Sequence, residues 1–508
     1  MPLCPKMLGA ITSYLPPAAA GKKNKEIFRG HPELRQRASR PLQSRSLHQG
    51  VRHLFAKGLD KDPLFCEDEF NLKRGRKNMS EESDQGWQQL SEQILTDIKE
   101  WRRAHPKATF REIEHEVHRR LSRLEAQVIQ DAVQESEQRD WSGAPAQERP
   151  SCPVCGTPLQ ARGKRTRCLQ GAGGQEITLT RTYGTCPTCG TGLFPLDEEL
   201  ALPRGSTLTS LQHEHLVHLS SWMPFAQAAK MMERLLGVQV SEASTRRQSE
   251  RAGALALAVQ TAQAQMPVPE HLPASKPPKR LAISADGAYV PLLKGQWAEV
   301  RTVALGQVEH QTTSTGAQEV HVHQLSYFSR MCDAQTFASL AEVEMRRRGV
   351  SQAQEIGAVT DGADWLQGFL DLHCPQALRV LDFPHAAEHL NLLIQALHQA
   401  GLALPADLLE RACHRLKHRG PHLLIWLLSR LPADLAQQEG VREQVGYFLK
   451  REALMQYPHY RKLGWPIGSG MVESANKVVV EARLKGAGMH WEPSHVNPHA
   501  HLTQCRLQ

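Results

Sequence analysis

Long apolar runs, dense cysteines and a large excess of either charge are all missing from this 508-residue chain. It has no stretch of 18 apolar residues, which argues against a membrane-spanning helix. Residues 7–21 resemble a signal peptide only weakly, because Thr12, Ser13 and Tyr14 interrupt the apolar run. Eleven unevenly spaced cysteines are too few for a disulfide scaffold at this length, so we expect a reducing, cytoplasmic setting.

Net charge says little about the main body of the chain. The 61 Lys and Arg outnumber the 53 Asp and Glu, but residues 1–78 hold 16 of the basic and 7 of the acidic side chains, which leaves 45 against 46. This first segment mixes Pro, Gly, Ser and basic residues without periodicity, which predicts a disordered basic extension. We interpret Met79 as the functional start; a basic tail that contacts DNA is the alternative.

The chain is long enough for several domains, and 40% of its residues are apolar, which is enough to fill their cores. Apolar residues recur at helical spacing through residues 79–140 and predict two helices. Thr109 followed by Glu112 is a capping box that would start the second helix. These helices would form either a hairpin that supports dimerisation or DNA-end binding, or part of a core.

Two C-x-x-C pairs lie within residues 150–200. Four thiolates on two tight turns are typical of structural zinc, and we predict a zinc ribbon ligated by Cys152, Cys155, Cys186 and Cys189. A thioredoxin-like redox site would need one such pair at the start of a helix, which disfavours that alternative. Cys168 falls in the predicted loop between the pairs and receives no role.

Residues 205–255 predict helices separated by a glycine turn. An amphipathic helix over 225–235 is followed by Gly237 and then by Ser241, which would cap a second helix. A helix, a turn and a second helix rich in polar side chains are typical of the helix-turn-helix that reads duplex DNA. The candidate DNA contacts are Ser244, Thr245, Arg246 and Arg247.

After a Pro-rich linker at 267–278 the pattern changes to strands. Three strands, a helix, a strand, a helix and a strand follow, which is the order of a ribonuclease-H-like fold. Asp286 and Asp361 each follow an apolar strand and precede glycine, so we place both carboxylates at strand ends. One Asp-Gly is most often a turn, but two on one sheet with a Glu helix downstream favour a divalent-metal site. Residues 386–456 predict a helical insertion whose basic run is either a solvated face or part of a DNA channel.

The segment over 465–491 reads WPIGSGMVESANKVVVEARLKGAGMHW. A glycine turn starts a helix whose apolar stripe we place at Val472, Ala475, Val479 and Ala482. Glu473 lies off this stripe and four residues before Lys477, so periodicity alone indicates a solvated ion pair.

This run resembles the C-terminal signature of the DDE transposases of bacterial insertion sequences, of the ISKra-type family in the Mutator-like superfamily, and the resemblance extends over about residues 79–508. It implies that Asp286, Asp361 and Glu473 are catalytic acids that bind Mg²⁺ or Mn²⁺, and that DNA is contacted by Lys477, Arg483 and Lys485. Asp382 and His385 resemble the (C/D)-x-x-H element of these proteins, which implies a contact with the site or with DNA; a buried structural histidine is the alternative. Phe383-Pro384, between these two residues, departs from the family pattern.

We therefore expect a multidomain α+β protein with N-terminal helices, a zinc ribbon, a helix-turn-helix and a ribonuclease-H-like α/β catalytic domain at 279–508. The implied function is that of a transposase that binds the inverted repeats of an insertion sequence and catalyses DNA strand cleavage and strand transfer. It would act as a homo-oligomer on end and target DNA, in the cytoplasm at the nucleoid and away from membranes. A DNA-binding regulator or domesticated transposase without nuclease activity is the alternative. A nuclease that cuts DNA junctions is a weaker alternative, because such an enzyme would not need two DNA-reading modules.

Overall fold

The computed structural model describes residues 81–266, 277–312 and 318–507, which form a mixed α+β protein with two sheets. The predicted basic extension at 1–78, the start at Met79 and most of the linker at 267–278 lie outside these residues. The chain divides into two compact units: described residues 81–213 with 236–238 belong to one, and 214–235 with the described part of 239–507 to the other. Within the described ranges, no helix is both long and apolar enough to cross a membrane.

The first unit begins with two packed helices, α1 (Glu81–Ala104) and α2 (Phe110–Gln134). Thr109 accepts the backbone N–H of Glu112, and the Glu112 carboxylate accepts the N–H of Thr109. The predicted capping box is therefore confirmed. Trp87 joins the two helices by donating its indole N–H to Asp131 at 2.9 Å.

A small antiparallel sheet follows, in the order β1 (Gln160–Gln170), β2 (Glu176–Thr185) and β3 (Gly192–Leu193), and a short helix, α3 (Pro195–Glu199), comes next. Leu169, Ile177 and Leu179 pack with Ala126 of α2 in one buried cluster. Cys168 lies within β1, and its predicted loop position was wrong, because residues between the two cysteine pairs form a β1–β2 hairpin.

Three helices follow: α4 (Ser210–Trp222), α5 (Phe225–Leu236) and α6 (Glu242–Gln265). They belong to the second unit except for the first residues of α4 and the last residue of α5, which belong to the first unit. Gly237 turns the chain with φ of 67°, in the left-handed region that favours glycine. Ser241 caps α6 by accepting the N–H of Ser244 at 3.2 Å. The structure therefore contains the predicted order of a helix, a glycine turn and a capped helix.

The larger sheet has the order β6-β5-β4-β7-β8, with strands β4 (Arg280–Pro291), β5 (Trp297–Thr312), β6 (Gln318–Arg330), β7 (Glu355–Thr360) and β8 (Leu378–Leu381). The first three strands in sequence pair antiparallel, whereas β7 and β8 run parallel to β4. The predicted strand end at Asp286 was wrong. Pairing with β5 continues to Pro291 opposite Trp297, so Asp286 lies within the strand.

Alternation along β4 assigns its side chains to the two faces of the sheet. Leu281, Ile283 and Ala285 pack in one core with helices α7 (Ala334–Arg347) and α8 (Asp364–His373). The even-numbered Ala282, Ala288 and Val290 belong to cores on the opposite face. Asp286 is also even-numbered, so alternation along the strand places its carboxylate on that opposite face.

The predicted insertion is helical and packs on this second face, where Phe448 and Tyr457 are buried with Ala282 and Val380. Pro384 stands in the first turn of the first insertion helix, where no helical N–H is needed, so the Phe383-Pro384 departure leaves the helix intact. The helices are α9 (Phe383–Gln399), α10 (Leu408–Arg419), α11 (His422–Leu428), α12 (Ala433–Ala436), α13 (Glu439–Lys450) and α14 (Tyr457–Lys462).

The Glu473 segment forms α15 (Gly470–Ala475), a π-helical turn (Asn476–Glu481) and α16 (Ala482–Leu484), and α17 (Pro493–Leu507) packs between β6 and α6. Val472, Ala475 and Val479 are buried as predicted, but Ala482 is exposed. The π turn bonds residues five apart and so changes the helical phase. Its wider turn buries Val480, Arg483 and Leu484 instead.

Candidate functional site

Asp286 lies within β4, and Asp361 comes directly after the end of the neighbouring parallel strand β7. The pairing of β4 with β7 reaches Ser284 opposite Val359, and each acid follows two residues later. Since paired strands lie about 4.8 Å apart, the register brings the two carboxylates close together. Burial, followed by the negative charge of Asp361, raises the pKa of Asp286 against the lowering effect of its hydrogen bonds.

Hydrogen bonds orient both carboxylates. Asp286 accepts the Gly287 N–H at 2.7 Å on Oδ1 and the Asn476 side-chain amide at 3.1 Å on Oδ2. Asp361 accepts the Ala363 N–H at 2.8 Å on Oδ1. The first acid is therefore connected to the Glu473 segment, and the second is fixed by its own turn.

The Asp361-Gly362 turn is held by the insertion. Tyr447 donates its hydroxyl to the Asp361 carbonyl at 3.2 Å, and the Arg451 guanidinium donates to the Gly362 carbonyl at 2.8 and 3.1 Å. Gly362 has φ of 79°, and a Cβ there would lie 2.5 Å from Nε of Arg451. This position therefore requires glycine for both its conformation and its space.

Asp382 is fully buried at the N-terminus of α9. Its Oδ2 accepts the backbone N–H of His385 at 3.0 Å and contacts Nδ1 of the same ring at 2.6 Å. Its Oδ1 accepts the Ser469 N–H at 2.5 Å. Burial alone would raise the pKa of Asp382, but the hydrogen bonds from His385 and Ser469 together hold it below its usual value.

The His385 ring is a cation at neutral pH. Its hydrogen bond to Asp382 raises its pKa to about 9 despite partial burial, and the charges of Asp361 and Asp286 add to this effect. The Asp-x-x-His element predicted from the sequence thus forms a contact pair. The His385 ring places its positive charge beside Asp361 and Asp286, while the pair as a whole is neutral because Asp382 is ionised.

Ser469 connects this pair to the third predicted acid. Besides its backbone contact with Asp382, its hydroxyl donates to Oε1 of Glu473 at 3.1 Å. The backbone N–H of Phe383 also donates to the Ile467 carbonyl at 2.9 Å. The β8–α9 junction therefore positions the turn from which the Glu473 helix starts.

Asn476 is a site residue that the sequence analysis missed. It is 5% exposed and reaches Asp286 from the helical segment that carries Glu473, three residues earlier. A signal existed, because Asn476 stands four residues after Val472 and three before Val479, where the apolar stripe predicts an apolar side chain.

Two of the residues predicted to contact DNA are buried, which contradicts that role. Arg483 is 2% exposed; it donates to the Ser220 carbonyl at 2.7 Å and stacks on Phe225 and Trp491. Thr245 is 0% exposed and donates to the Ser241 carbonyl. Helical phase turns both side chains inward.

The other predicted contacts remain accessible. Arg246 and Arg247 are exposed on α6, and Ser244 beside them is half-buried and bonded to Gln248. Lys477 is exposed, and Lys485 is also exposed but pairs with Glu481 at 2.8 Å. These side chains can reach a partner without a change of fold.

In the first unit, the four predicted cysteines converge. Their Sγ atoms all lie within 4.8 Å of one another, with separations of 3.5 Å for Cys152 to Cys189 and 3.3 Å for Cys155 to Cys186. Tetrahedral zinc with bonds of about 2.3 Å needs sulfur atoms about 3.8 Å apart. The cluster can therefore hold a metal such as zinc.

The two halves of this cluster repeat one structure. Gly156 and Gly190 donate to the carbonyls of Cys152 and Cys186 at 2.9 and 3.0 Å, with φ of 76° and 73°. Hydrogen bonds from Thr191 lower the pKa of Cys189 to about 6, whereas burial raises that of Cys152 to about 11. Metal binding would supply the positive charge that a buried thiolate needs.

Among the described residues, these cysteines are the only group of three or more His, Cys, Asp or Glu side chains whose ligand atoms converge so closely. Asp286, Asp361 and Glu473 are thus not drawn together to the same extent. Carboxylates repel one another, and a divalent cation is the kind of group that would bring them closer.

Comparison with known proteins assigns a family but no activity. No curated protein matches the chain. Residues 103–400, more than half of the chain, match an uncharacterised protein family, UPF0236. The match includes the four cysteines of the cluster, Asp286 and Asp361, and the Asp382–His385 pair. It ends before Glu473. This chain belongs to UPF0236.

Proposed function

We propose that this chain is a DNA transposase of an insertion sequence, which binds terminal inverted repeats and catalyses metal-dependent strand cleavage and strand transfer. The observation that carries the proposal is the meeting of separate segments at one place. Asp286 on β4 lies next to the end of β7, which Asp361 follows, and the Glu473 segment is bonded both to Asp286 and to Asp382. Three antiparallel strands followed by two parallel ones support a ribonuclease-H-like domain.

The residues suit a hard divalent cation, because Asp286, Asp361 and Glu473 offer only oxygen ligands. Burial and the nearby charge of Asp361 also make Asp286 costly to ionise without a cation, as its raised pKa indicates. Bound Mg²⁺ or Mn²⁺ would activate the attacking oxygen and stabilise charge on the phosphodiester.

The chain itself would supply orientation and charge. Asp382 and Ser469 hold Glu473 in position, and the insertion fixes Asp361 through Tyr447 and Arg451. Protonated His385 would attract a DNA phosphate and limit repulsion between the acids. Arg246 and Arg247 would contact the terminal repeat, and a zinc-bound ribbon would add a second DNA-reading module.

The test is cleavage of duplex DNA that carries the inverted repeats flanking the gene, with Mg²⁺ or Mn²⁺. Asp286→Asn, Asp361→Asn and Glu473→Gln should each lower 3′-end cleavage by at least a hundredfold while the protein stays folded. The matched control is Asp364→Asn, because Asp364 is only three residues from Asp361 but is exposed and pairs with Lys450. A folded acid variant that cleaves like wild type would refute the assignment of that residue.

The alternative is a DNA-binding regulator without nuclease activity. The observation that favours it is that, among the described residues, only the four cysteines converge within 4.8 Å, so the three carboxylates do not form an equally close group. In that case wild type would bind the repeats and cleave nothing at any Mg²⁺ or Mn²⁺ concentration.

A further inference from the structure

Asn476 has two structural properties that its position in the helix does not explain. It is a polar residue at a buried position where the helical spacing predicts an apolar one, and its side chain donates to Asp286 on β4. The π-helical turn starts at the same residue. Such turns occur often at functional sites, because they persist only where something offsets their poorer geometry.

The chemistry of the amide fixes its orientation. A carboxylate can only accept hydrogen bonds, so the Asn476 nitrogen must face Asp286, as the 3.1 Å contact has it. The amide oxygen shares the same carbon and is therefore held beside the same carboxylate. It is buried, and among the described residues it has no hydrogen-bond partner.

A buried acceptor without a partner costs free energy, so it indicates a place for a bound water or ion. Here the acceptor stands next to Asp286, a carboxylate that strand register places near Asp361 and that interacts with its charge. Water on a divalent cation is a strong donor, and Mg²⁺ keeps several such waters when protein carboxylates bind it. An acceptor at this place suits that water shell.

We propose that Asn476 is a positioning residue of the metal site, which orients Asp286 through its amide nitrogen and accepts a hydrogen bond from cation-bound water through its oxygen. Because Glu473 lies three residues earlier on the same helical segment, the contact also fixes the third acid relative to the first. Ser469 secures the start of the helix, and Asn476 secures its other end. This inference rests on the proposed function, since it assumes a divalent cation at Asp286.

The experiment measures binding of Mn²⁺ alone to the full, zinc-loaded chain without DNA, by electron paramagnetic resonance of free Mn²⁺. Asn476→Ala and the larger Asn476→Leu remove both amide atoms, and the second keeps most of the volume, so at least one folded variant is expected. Loss of a partner of a metal ligand usually weakens metal affinity by about 10- to 100-fold, and we expect that range.

The matched control is Asn497→Ala. Asn497 also bridges two elements, bonding the backbone of Met331 at 2.7 and 3.2 Å, but it contacts none of the acids. It should lower the melting temperature and leave Mn²⁺ affinity within about twofold of wild type. Asp286→Asn identifies the site, because it should abolish the same binding.

Three results overturn the inference in distinguishable ways. If Asp286→Asn abolishes binding but both Asn476 variants bind Mn²⁺ like wild type, the role of Asn476 is wrong and the proposed function stands. If Asn497→Ala weakens binding as much as the Asn476 variants, the effect is one of general stability. If wild type binds no Mn²⁺, both the proposed function and this inference fail.

Discussion

The backbone N–H of Ser469 lies 2.5 Å from Oδ1 of Asp382, and this contact connects the end of β8 to the start of the Glu473 helix. The other carboxylate oxygen holds His385. One buried side chain thus serves two segments that are more than 80 residues apart in sequence.

Asp382→Asn should disrupt this connection. An amide has one accepting oxygen, but donors face both atoms of the carboxylate, so one donor would lose its partner. We expect a loss of about 1–3 kcal/mol in the free energy of unfolding and at least a tenfold loss of cleavage. Urea denaturation and cleavage assays measure the two effects. Asp371→Asn, at an exposed pair with Arg379, should change neither, and equal effects in both variants would contradict the prediction.

The His385–Asp382 pair should make stability depend on pH in the alkaline range. The folded-state pKa of His385, about 9, exceeds the ordinary value of 6.5, so protonation favours the folded state. This contribution should be complete below about pH 6.5 and should be lost as the pH rises through 9. Unfolding between pH 6 and 10 measures it, and His385→Gln should flatten that part of the profile. An unchanged profile in the variant would assign the slope to other groups.

Gly362→Ala should loosen the turn that carries Asp361. An alanine at positive φ costs about 1–2 kcal/mol, and its Cβ would also crowd Arg451. Gly368→Ala is the control, since Gly368 lies in α8 with no atom within 4 Å of an added Cβ, and it should stabilise by about 0.5–1 kcal/mol. Thermal unfolding compares the two changes, which should have opposite signs.

The cysteine cluster should bind one structural zinc ion per chain. Metal analysis of purified, reduced protein gives the stoichiometry, and Cys186→Ser, which changes a buried ligand, should abolish binding and destabilise the first unit. Cys168→Ser, at an exposed cysteine outside the cluster, should retain the zinc. A wild-type zinc content near zero would refute the site.

Arg246 and Arg247 should distinguish the terminal repeat from random duplex. Changing both to Ala should weaken binding to the repeat far more than to random DNA, because an Arg–guanine pair discriminates by about 1–3 kcal/mol. Binding to both duplexes at two salt concentrations measures this. An equal loss on both, with a shallower salt slope, would mean phosphate contacts alone.

Local sequence signals predicted local features well. The capping box at Thr109, the cap at Ser241 and the two cysteine knuckles depend on residues a few positions apart, and the structure contains all of them. The prediction of Asp286 at a strand end failed because continued pairing with β5 is a long-range property. The resemblance implied that Arg483 contacts DNA, but helical phase changes at the π turn and buries this side chain, which no propensity signals. Asn476 was missed for a related reason: its partner is 190 residues away in sequence.

The insertion also has a consequence for the order of folding. Tyr447 and Arg451 secure the turn of Asp361 from nearly 90 residues downstream, and Glu473 follows still later. At a synthesis rate of about 5–20 residues per second, the interval from Asp361 to Glu473 takes roughly 6 to 20 s. During that time the nascent chain contains Asp286 and Asp361 but not yet the helix that carries Glu473. The site can therefore be completed only after the whole insertion has been synthesised.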